Sequence, residues 1–380
     1  MMNIGDRLLA KPEFEYYWGI SDEDKKYMDE LAQFVSKYGV NLLTIPIPYQ
    51  SALYIDASNN PSPKTYDPAQ ANKFYELQVK NLELHRMNPI NLNQLIGTFP
   101  KTGDFFAKRD HHWTGPAMEF VAQEVARRVN QLKLPLTQTS TTTLNRSVRD
   151  YAGSLADELK DKCGFVFPST EQRTFYELSI NSNEGLLDDA NSDIVLVGDS
   201  FGISYFGFDK VLSDALKAPI TNYSINGGGC CSSINGFFAS LAPETTKPKL
   251  IIWTSLMVLT NANEVRELKP SIYQAYENNT PIKSFQNEAL MGTMNIKLDK
   301  NKRYYVKLNT VGPKTENLSF KINYKDNSEK VNLYRKDESQ KTSYDVNYFY
   351  ELKPGSDLLS GISFDTFPNS KLTVSVYQYK

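Results

Sequence analysis

Two of the chain's three histidines stand side by side in the segment AKRDHHWTGPA, residues 107–117, directly after Asp110. In an extended segment, residues two apart project from the same side of the backbone. Asp110 and His112 are therefore expected to meet, with His111 facing the other way. A carboxylate bound to one imidazole nitrogen holds the tautomer whose other nitrogen accepts a serine proton. The segment predicts a general base for acyl transfer.

A candidate nucleophile follows in IVLVGDSFGISYF, where Ser200 comes directly after an apolar run. In open α/β sheets, ligands bind at the carboxyl ends of the strands. Gly198 permits a sharp turn there, Gly202 permits close approach to a ligand, and the Ser200 N–H is available to an oxyanion. Most Gly-Asp-Ser tripeptides are ordinary turns, and a serine hydroxyl is a poor nucleophile without a base. Together, Ser200, His112 and Asp110 form a predicted triad.

The adjacent histidines also have a structural and a metal-binding interpretation. Asp110 could precede a helix cap, and the histidine pair could be structural. The pair could also bind a metal with Asp104 or Asp110. Zinc usually needs three or four ligands, and His85 is the one remaining histidine. We therefore expect neither a metal nor another cofactor.

Helices and apolar strands alternate over about the first 255 residues, and these elements must position the triad. The strands are expected in VNLLTIPIP, IVLVG and KLIIWTS, which are apolar almost throughout. Helices are expected over 21–38, 115–133 and the region of 211–216, with Ser21 and Thr114 as caps. The stretch around 140–150 is expected to be a surface loop. This alternation indicates a parallel sheet covered on both faces.

The pattern changes after about residue 280. MNIKL, YYVKL, LSFKINY, VNLY and KLTVSVY alternate with period two between turn sequences. The predicted domains are therefore 1–280, which is α/β, and 281–380, a small antiparallel β-sandwich. The second carries a net positive charge and the first a net negative one. An anionic ligand would explain the basic module, as would a solvated lysine-rich surface. Aromatic candidates for sugar contacts, which could equally be sandwich core, are Tyr304, Tyr305, Tyr334, Tyr344 and Tyr348.

Composition limits the partners and the location of the chain. A formal net charge of −2 gives no reason to expect nucleic acid as a partner. No apolar run approaches the ~18 residues of a membrane span. No signal peptide is visible, so the chain is cytoplasmic or a mature chain whose leader has been removed.

Cys230 and Cys231 lack the spacing of a zinc or redox motif. They are expected to be buried thiols, or one of them to pair with Cys163, as an oxidising compartment would allow.

Together the motifs resemble the AlgX/AlgJ group of SGNH-hydrolase-like polysaccharide O-acetyltransferases of alginate biosynthesis. The resemblance rests on D-x-H-W-[ST] upstream of a strand that ends in G-x-S-[FY], then SINGGG and LIIWTS. It covers roughly residues 35–260. The Asp–His pair precedes the serine, as in this group, whereas in ordinary SGNH esterases it comes last. The C-terminal module resembles the carbohydrate-binding module of AlgX in architecture.

The resemblance implies a fold and a set of site residues. The fold is an SGNH-hydrolase-like parallel sheet with flanking helices, followed by a carbohydrate-binding-module-like β-sandwich. Ser200 is implied as the nucleophile, His112 as the general base and Asp110 as its orienting carboxylate. The candidates for oxyanion or substrate binding are Asn226, Gly227, Gly228, Tyr205 and Arg109.

The implied function is transfer of an acetyl group, through an acetyl-serine, onto hydroxyls of an exported polysaccharide such as an anionic, alginate-like polymer. The implied location is periplasmic or otherwise extracytoplasmic. Expected partners are a membrane-bound acyltransferase that supplies the acetyl donor and other exopolysaccharide export components. One alternative is a polysaccharide acetyl esterase with the same triad. The other is a non-catalytic glycan-binding scaffold of an export complex.

Overall fold

A computed structural model describes most of the 380-residue chain. The described residues are 2–4, 6–14, 22–55, 66–101, 103–137, 142–167, 169–180, 192–227, 230–256, 262–286, 294–311, 317–334, 345–364 and 371–380. Their α-helices are α1 Asp22–Lys37, α2 Gln50–Tyr54, α3 Pro68–Leu84, α4 Leu92–Thr98, α5 Gly115–Leu132, α6 Ser154–Cys163, α7 Phe208–Leu216, α8 Ser232–Ser240 and α9 Ala262–Tyr276. None of these described helices is long and apolar enough to cross a membrane.

The strands of the described residues fall into five sheets. They are β1 Met2–Ile4, β2 Arg7–Leu9, β3 Leu42–Pro46, β4 Thr142–Tyr151, β5 Glu171–Ile180, β6 Ile194–Gly198, β7 Ile220–Asn222, β8 Leu250–Ser255, β9 Lys283–Gln286, β10 Ile296–Lys297, β11 Tyr304–Val311, β12 Asn317–Tyr324, β13 Ser328–Tyr334, β14 Asp345–Glu351, β15 Leu358–Phe364 and β16 Lys371–Gln378.

The chain divides into two compact units, each built from separate segments. The first takes Met1–Ser21, Val40–Ser224 and Lys247–Val258; the second takes Asp22–Gly39, Ile225–Thr246 and Leu259–Lys380. The boundary expected between residues 280 and 281, which separates the predicted acetyltransferase domain from the predicted carbohydrate-binding module, stays a prediction.

A parallel four-stranded sheet lies at the centre of the first unit, in the order β3-β8-β6-β7. Leu43 and Leu196 both pair with Ile252 of the middle strand. Every residue of β3, β6 and β8 is buried, which explains why their sequences are apolar without alternation. The expected parallel α/β sheet is confirmed.

Helix α5 begins directly after the histidine segment. The Thr114 hydroxyl accepts the Ala117 N–H at 3.4 Å, and Pro116 lies in the first turn, as expected of a capped helix start. One face of α5 is buried in the core that covers the parallel sheet. The position of the histidine segment is therefore tied to a long, well-packed helix. The other expected cap, Ser21, lies outside the described residues.

The segment expected to be a surface loop around 140–150 is strand β4, so that prediction is wrong. Its ten residues pair antiparallel with the ten of β5, from Thr142 opposite Ile180 to Tyr151 opposite Glu171. Side chains of β4 are intermediate or exposed along its whole length. The strand has no buried face that would give it an apolar alternation. Pairing with β5, rather than burial, makes it a strand.

The second unit contains two four-stranded antiparallel sheets, β10-β15-β12-β13 and β14-β11-β16-β9. A shared apolar core joins residues of both sheets, such as Val306 and Val374 with Phe320 and Ile362. The expected β-sandwich is confirmed. Helix α9 packs on the second of these sheets through β14.

Three of the five tyrosines considered for sugar contacts belong to the interior of this unit. Tyr304, Tyr305 and Tyr348 are at most 7% exposed. The Tyr305 ring lies 5.9 Å from that of Tyr273 on α9. For these three the core interpretation is correct. Tyr344 and the Tyr334 side chain lie outside the described residues.

The cysteines pair differently from either expectation. Cys230 and Cys231 form a disulfide with each other, and Cys163 is free and exposed. Spacing arguments miss this bridge because known metal and redox motifs separate their cysteines by intervening residues.

Candidate active site

Strands β6 and β8 end side by side at one edge of the parallel sheet, and Ser200 lies there. Asp199 joins the two ends, since its carboxylate accepts the Phe201 N–H at 3.1 Å and the Leu256 N–H at 2.7 Å. Burial raises the pKa of Asp199 to about 6. These hydrogen bonds fix the turn that carries Ser200.

Gly198 allows the turn to follow the strand so closely. Its φ is 145°, and a Cβ at this position would fall on the backbone carbonyl of Thr254 in β8. Ser200 itself is 8% exposed, so its side chain lies almost entirely within the protein.

Asp110 and His112 form a direct pair. One carboxylate oxygen, Oδ1 of Asp110, accepts the His112 N–H at 2.8 Å and lies 2.5 Å from His112 Nδ1. This local turn bends the segment, which is not extended as the sequence argument assumed. The His111 ring consequently lies 3.9 Å from the His112 ring, centroid to centroid. The expectation that His111 faces the other way is wrong.

The second oxygen of Asp110 meets groups that are distant in sequence. It accepts the Ser154 N–H at 3.0 Å and lies 3.6 Å from Nη1 of Arg173. Burial opposes ionisation, yet the hydrogen bond from His112 and the charges of His112 and Arg173 hold the pKa of Asp110 well below its usual value. Asp110 is therefore a buried carboxylate in its charged form.

Arg173 is the site residue that the sequence did not reveal. Its side chain is 4% exposed, donates to the Trp113 carbonyl at 3.2 Å and lies 3.8 Å from the Phe206 ring centroid. Strand β5 delivers it. The one signal in the sequence was an arginine in a polar stretch that could form a strand beside another polar stretch. Without knowledge of the fold, this signal does not distinguish Arg173 from other arginines.

Arg7 and Gln50 hold the histidine segment from its other side. Arg7 donates to the Ala107 carbonyl at 2.9 Å, and its Nη1 also donates to the Gln50 side chain at 2.8 Å. Gln50 in turn donates to the Asp110 carbonyl at 2.8 Å. Both residues are buried, so two more chain segments, besides those of Ser154 and Arg173, help to position the Asp110–His112 pair.

The second imidazole nitrogen of His112, Nε2, is the atom that would take a proton. It is buried and has no hydrogen-bond partner within the described part of the chain. The ring lies 4.7 Å from Phe206 and 5.0 Å from Phe201, the residue after Ser200. The structure thus brings His112 against the turn that carries Ser200. Catalytic hydrogen bonds often tighten only when substrate binds. The full triad stays a prediction.

Two further candidates lie nearby. Tyr205 is 64% exposed and its ring lies 5.2 Å from Phe206, which itself contacts His112. Arg109 donates from its guanidinium to the Ser169 carbonyl and lies 4.3 Å from the Phe167 ring centroid. A substrate role for either stays a prediction.

The glycine-rich candidates for the oxyanion site follow strand β7 in the chain. Asn226 and Gly227 belong to the second compact unit, and Gly228 lies outside the described residues. Their oxyanion role stays a prediction.

Asp110, His111 and His112 also form a set of metal donors, with ligand atoms within 4.8 Å of one another. The Asp110–His112 hydrogen bond engages Oδ1 of Asp110 and Nδ1 of His112, and the nearby Arg173 charge disfavours a second cation. Asp104, the other acid considered, is held in an ion pair at 2.8 Å. The geometry fits an oriented base better than a metal centre.

Comparison with known proteins identifies relatives in alginate biosynthesis. Residues 19–255 match the family described as SGNH hydrolase-like domain, acetyltransferase AlgX. The chain is 24% identical to the alginate biosynthesis protein AlgX of Pseudomonas fluorescens over 290 residues, which are 72% of this chain and 59% of that protein. It is 23% identical to AlgX of Pseudomonas putida over 239 residues, 60% of this chain and 50% of that protein. The matches thus span between half and three fifths of the length of these curated relatives.

Solved structures extend the likeness to the fold. Pseudomonas aeruginosa AlgX superposes with a TM-score of 0.77 and 18% identity, over 96% of this chain and 90% of that one. The O-acetyltransferase domain of Pseudomonas putida AlgJ gives 0.53 and 18%, over 67% of this chain and 89% of that one. At these identities the structures show a shared fold. Because the family match spans more than half of its residues, the chain belongs to the AlgX family of SGNH hydrolase-like acetyltransferase domains.

Proposed function

We propose that this chain is a polysaccharide O-acetyltransferase that works through an acetyl group carried on Ser200. The observation that carries the proposal is the buried Asp110–His112 pair: among the described residues Nε2 of His112 has no hydrogen-bond partner, and its ring lies 5.0 Å from that of Phe201. A carboxylate-oriented imidazole beside a serine turn is the arrangement that acyl transfer requires.

The first half of the reaction loads the serine. The Ser200 hydroxyl attacks the carbonyl carbon of the donor while His112 Nε2 takes its proton. The bond to the leaving group then breaks, and His112 returns the proton to that group. Asp110 stays ionised and stabilises the imidazolium, consistent with its lowered pKa.

The second half unloads the serine onto sugar. A sugar hydroxyl gives its proton to His112 and attacks the acetyl carbonyl carbon. The bond to Ser200 breaks, and Ser200 regains the proton. Water in place of the sugar would give the acetyl esterase. The Ser200 N–H and the backbone of residues 226–228 are the proposed oxyanion donors.

The proposed acceptor is an exported polysaccharide of the alginate type, because the relatives are alginate biosynthesis proteins. We place the reaction in the periplasm, where a membrane-bound acyltransferase supplies the acetyl donor and export components are neighbours. The Cys230–Cys231 disulfide supports an oxidising compartment. The sandwich is proposed to bind anionic glycan, which the net positive charge of residues 281–380 favours.

Intact-mass spectrometry after exposure to an activated acetyl ester tests the chemistry. The parent is expected to gain one acetyl group, and the Ser200→Ala variant none. Ser204→Ala is the matched control, since Ser204 donates to Asp209 at 2.8 Å and is expected to leave the adduct intact. An undiminished adduct in Ser200→Ala contradicts the proposal. Adding alginate oligosaccharide separates the activities: acetylated sugar indicates the transferase, and sugar-independent acetate release indicates the esterase.

A further inference from the structure

A cavity of about 590 Å³ opens in the first unit beside the Asp110–His112 pair. Leu155 and Leu159 of α6 form part of one wall, and Pro12 and Pro48 line it as well. His111, Gln50 and Leu256 complete the part nearest to the candidate active site. Cavities of about 300–1,000 Å³ are typical of sites for small organic ligands.

Three of the lining residues contact either the Asp110–His112 pair or the turn that carries Ser200. The His111 ring lies 3.9 Å from the His112 ring. The Leu256 N–H donates to Asp199, which holds the Ser200 turn, at 2.7 Å. The Gln50 amide donates to the Asp110 carbonyl, as described above. A molecule in this cavity would therefore be separated by a single side chain or main-chain group from His112 and from the turn that carries Ser200.

Several of the polar groups that line the cavity are already satisfied by the protein. The buried Glu13 carboxylate accepts the N–H groups of Ala10 and Ser51 at 2.8 and 3.1 Å. Lys162 pairs with Glu158 at 2.5 Å. Nδ1 of His111 and the Ser154 hydroxyl are hydrogen-bonded at 3.1 Å. What the cavity chiefly offers an incoming molecule is aliphatic surface.

We propose that this cavity binds the apolar part of the acyl donor, an ester or thioester with a chain much larger than an acetyl group. The inference rests on the proposed acyl transfer by Ser200. A sugar ring would leave hydroxyls unpaired against leucine and proline walls, which is costly. An alkyl chain gains free energy there. The chain could belong to the acyl group or to the group that leaves, and both present the same chemistry.

Two series of thioesters distinguish a chain on the acyl group from a chain on the leaving group. One lengthens the acyl group on a fixed thiol, and the other keeps the acetyl group and lengthens the alkanethiol. In each, the Ser200 oxygen bonds to the carbonyl carbon, the carbon–sulfur bond breaks, and the thiol leaves with the serine proton. The rate of adduct formation is expected to rise about fourfold for each added methylene in one series. The series that responds identifies which part of the donor occupies the cavity. Flat rates in both series overturn the inference.

Variants of α6 test whether the rise in rate with chain length comes from binding in this cavity. Leu159→Trp fills the cavity and is expected to lower the ratio of long-chain to acetyl rates about tenfold. Lys160→Trp is the matched control, because Lys160 is the next residue of α6, is exposed and does not line the cavity. Its ratio is expected to equal that of the parent. An unchanged ratio in Leu159→Trp overturns the inference.

Cys163 provides a second test that needs no core substitution. It lines the cavity and is the one cysteine outside the disulfide. Labelling it with a bulky maleimide is expected to abolish the chain-length gain, and Cys163→Ser treated in the same way is expected to keep it.

The two proposals fail in different ways. If thioesters acylate Ser200 but the gain survives both the tryptophan and the label, the cavity is not the donor site and the proposed transferase stands. If no thioester or ester acylates Ser200, the proposed function fails and this inference fails with it.

Discussion

Asp110 is the residue through which the parts of the candidate site are connected. One of its oxygens holds His112, and the other meets the start of α6 and the Arg173 cation. A carboxylate with no exposed surface needs such partners, because an isolated buried charge is strongly destabilising. The same contacts keep it ionised and able to stabilise a protonated His112.

Replacing Arg173 with Met should disturb Asp110 without touching the reacting atoms. We expect the free energy of unfolding to fall by about 3 kcal/mol, because the buried carboxylate loses its cation. Acylation of Ser200 should slow about tenfold or more, since His112 is held less well. Urea unfolding and adduct kinetics measure the two effects.

The register of the antiparallel β4–β5 pair supplies the control. Arg149 is the Cα partner of Arg173, but its side chain is 60% exposed. Arg149→Met should change the free energy of unfolding by less than about 0.5 kcal/mol. Adding Asp110→Asn to Arg173→Met should restore stability but not acylation. Equal effects of the Arg149 and Arg173 substitutions would contradict this role.

His111 should make stability depend on pH. Burial, followed by the charge of His112, lowers its pKa from 6.5 to about 4, although Asp110 and Glu158 oppose the shift and Arg173 adds to it. Between these values the unfolded chain binds a proton that the folded chain does not. The free energy of unfolding should therefore fall as pH drops from 6.5 towards 4, with a slope of at most about 1.4 kcal/mol per pH unit.

Comparison of the parent with His111→Gln isolates this contribution. Urea unfolding at several pH values should show the extra slope in the parent alone. Parallel stability curves for the two proteins would show that His111 does not titrate as its surroundings require.

At the level of elements, the turn into α6 connects the helix to the Asp110–His112 pair. Gly153 has a φ of 97°, and a Cβ there would fall on the Arg109 carbonyl. The next residue, Ser154, donates its N–H to Asp110. The short turn therefore brings the helix N-terminus onto the carboxylate.

Gly153→Ala should lower the free energy of unfolding by about 2 kcal/mol or more, since both the positive φ and the clash oppose a side chain. Acylation should weaken with it, because Ser154 must move away from Asp110. Gly97→Ala is the control: Gly97 lies within α4 with open space around its Cβ position, so this change should be neutral or slightly stabilising. Thermal unfolding and adduct formation together check the pair, and equal stability of the two variants would contradict the argument.

The predictability of each element depends on how it is buried. Strands β6 and β8 were predictable because both faces are covered, which demands uninterrupted apolar residues. Strand β4 was not, because its side chains face solvent or lie at intermediate depth and its stability comes from backbone pairing. The role of Arg173 was not predictable for the same reason, because its strand β5 is the pairing partner of β4. The Asp110–His112 contact was predictable from proximity in sequence, although the assumed extended geometry was wrong.

For the molecule as a whole, the cysteines give a direct chemical test. Under denaturing conditions without reductant, each chain should titrate one thiol, which is Cys163, and after reduction all three. A thiol-reagent assay measures both values. Three thiols before reduction would contradict the disulfide. The sequence could not predict this pairing, because it depends on the local path of two neighbouring residues rather than on spacing.

The family and the two architectures were predictable at this scale because they rest on motif order and on a change of hydrophobic period near residue 280. The assignment of aromatic residues was not. Tyr305 and Tyr348 show no exposed surface, so alternation along a strand did not distinguish the faces of the sandwich. The proposed glycan recognition by this module therefore requires side chains other than Tyr304, Tyr305 and Tyr348.

The partnership of Asp110 with Arg173 also bears on how the protein is made. The cation is synthesised sixty-three residues after the carboxylate that it neutralises. A chain that ends at α5 would lack the cation that balances Asp110 when it is buried. The buried Asp110 can thus gain its full set of partners only after β5 has been synthesised and has paired with β4.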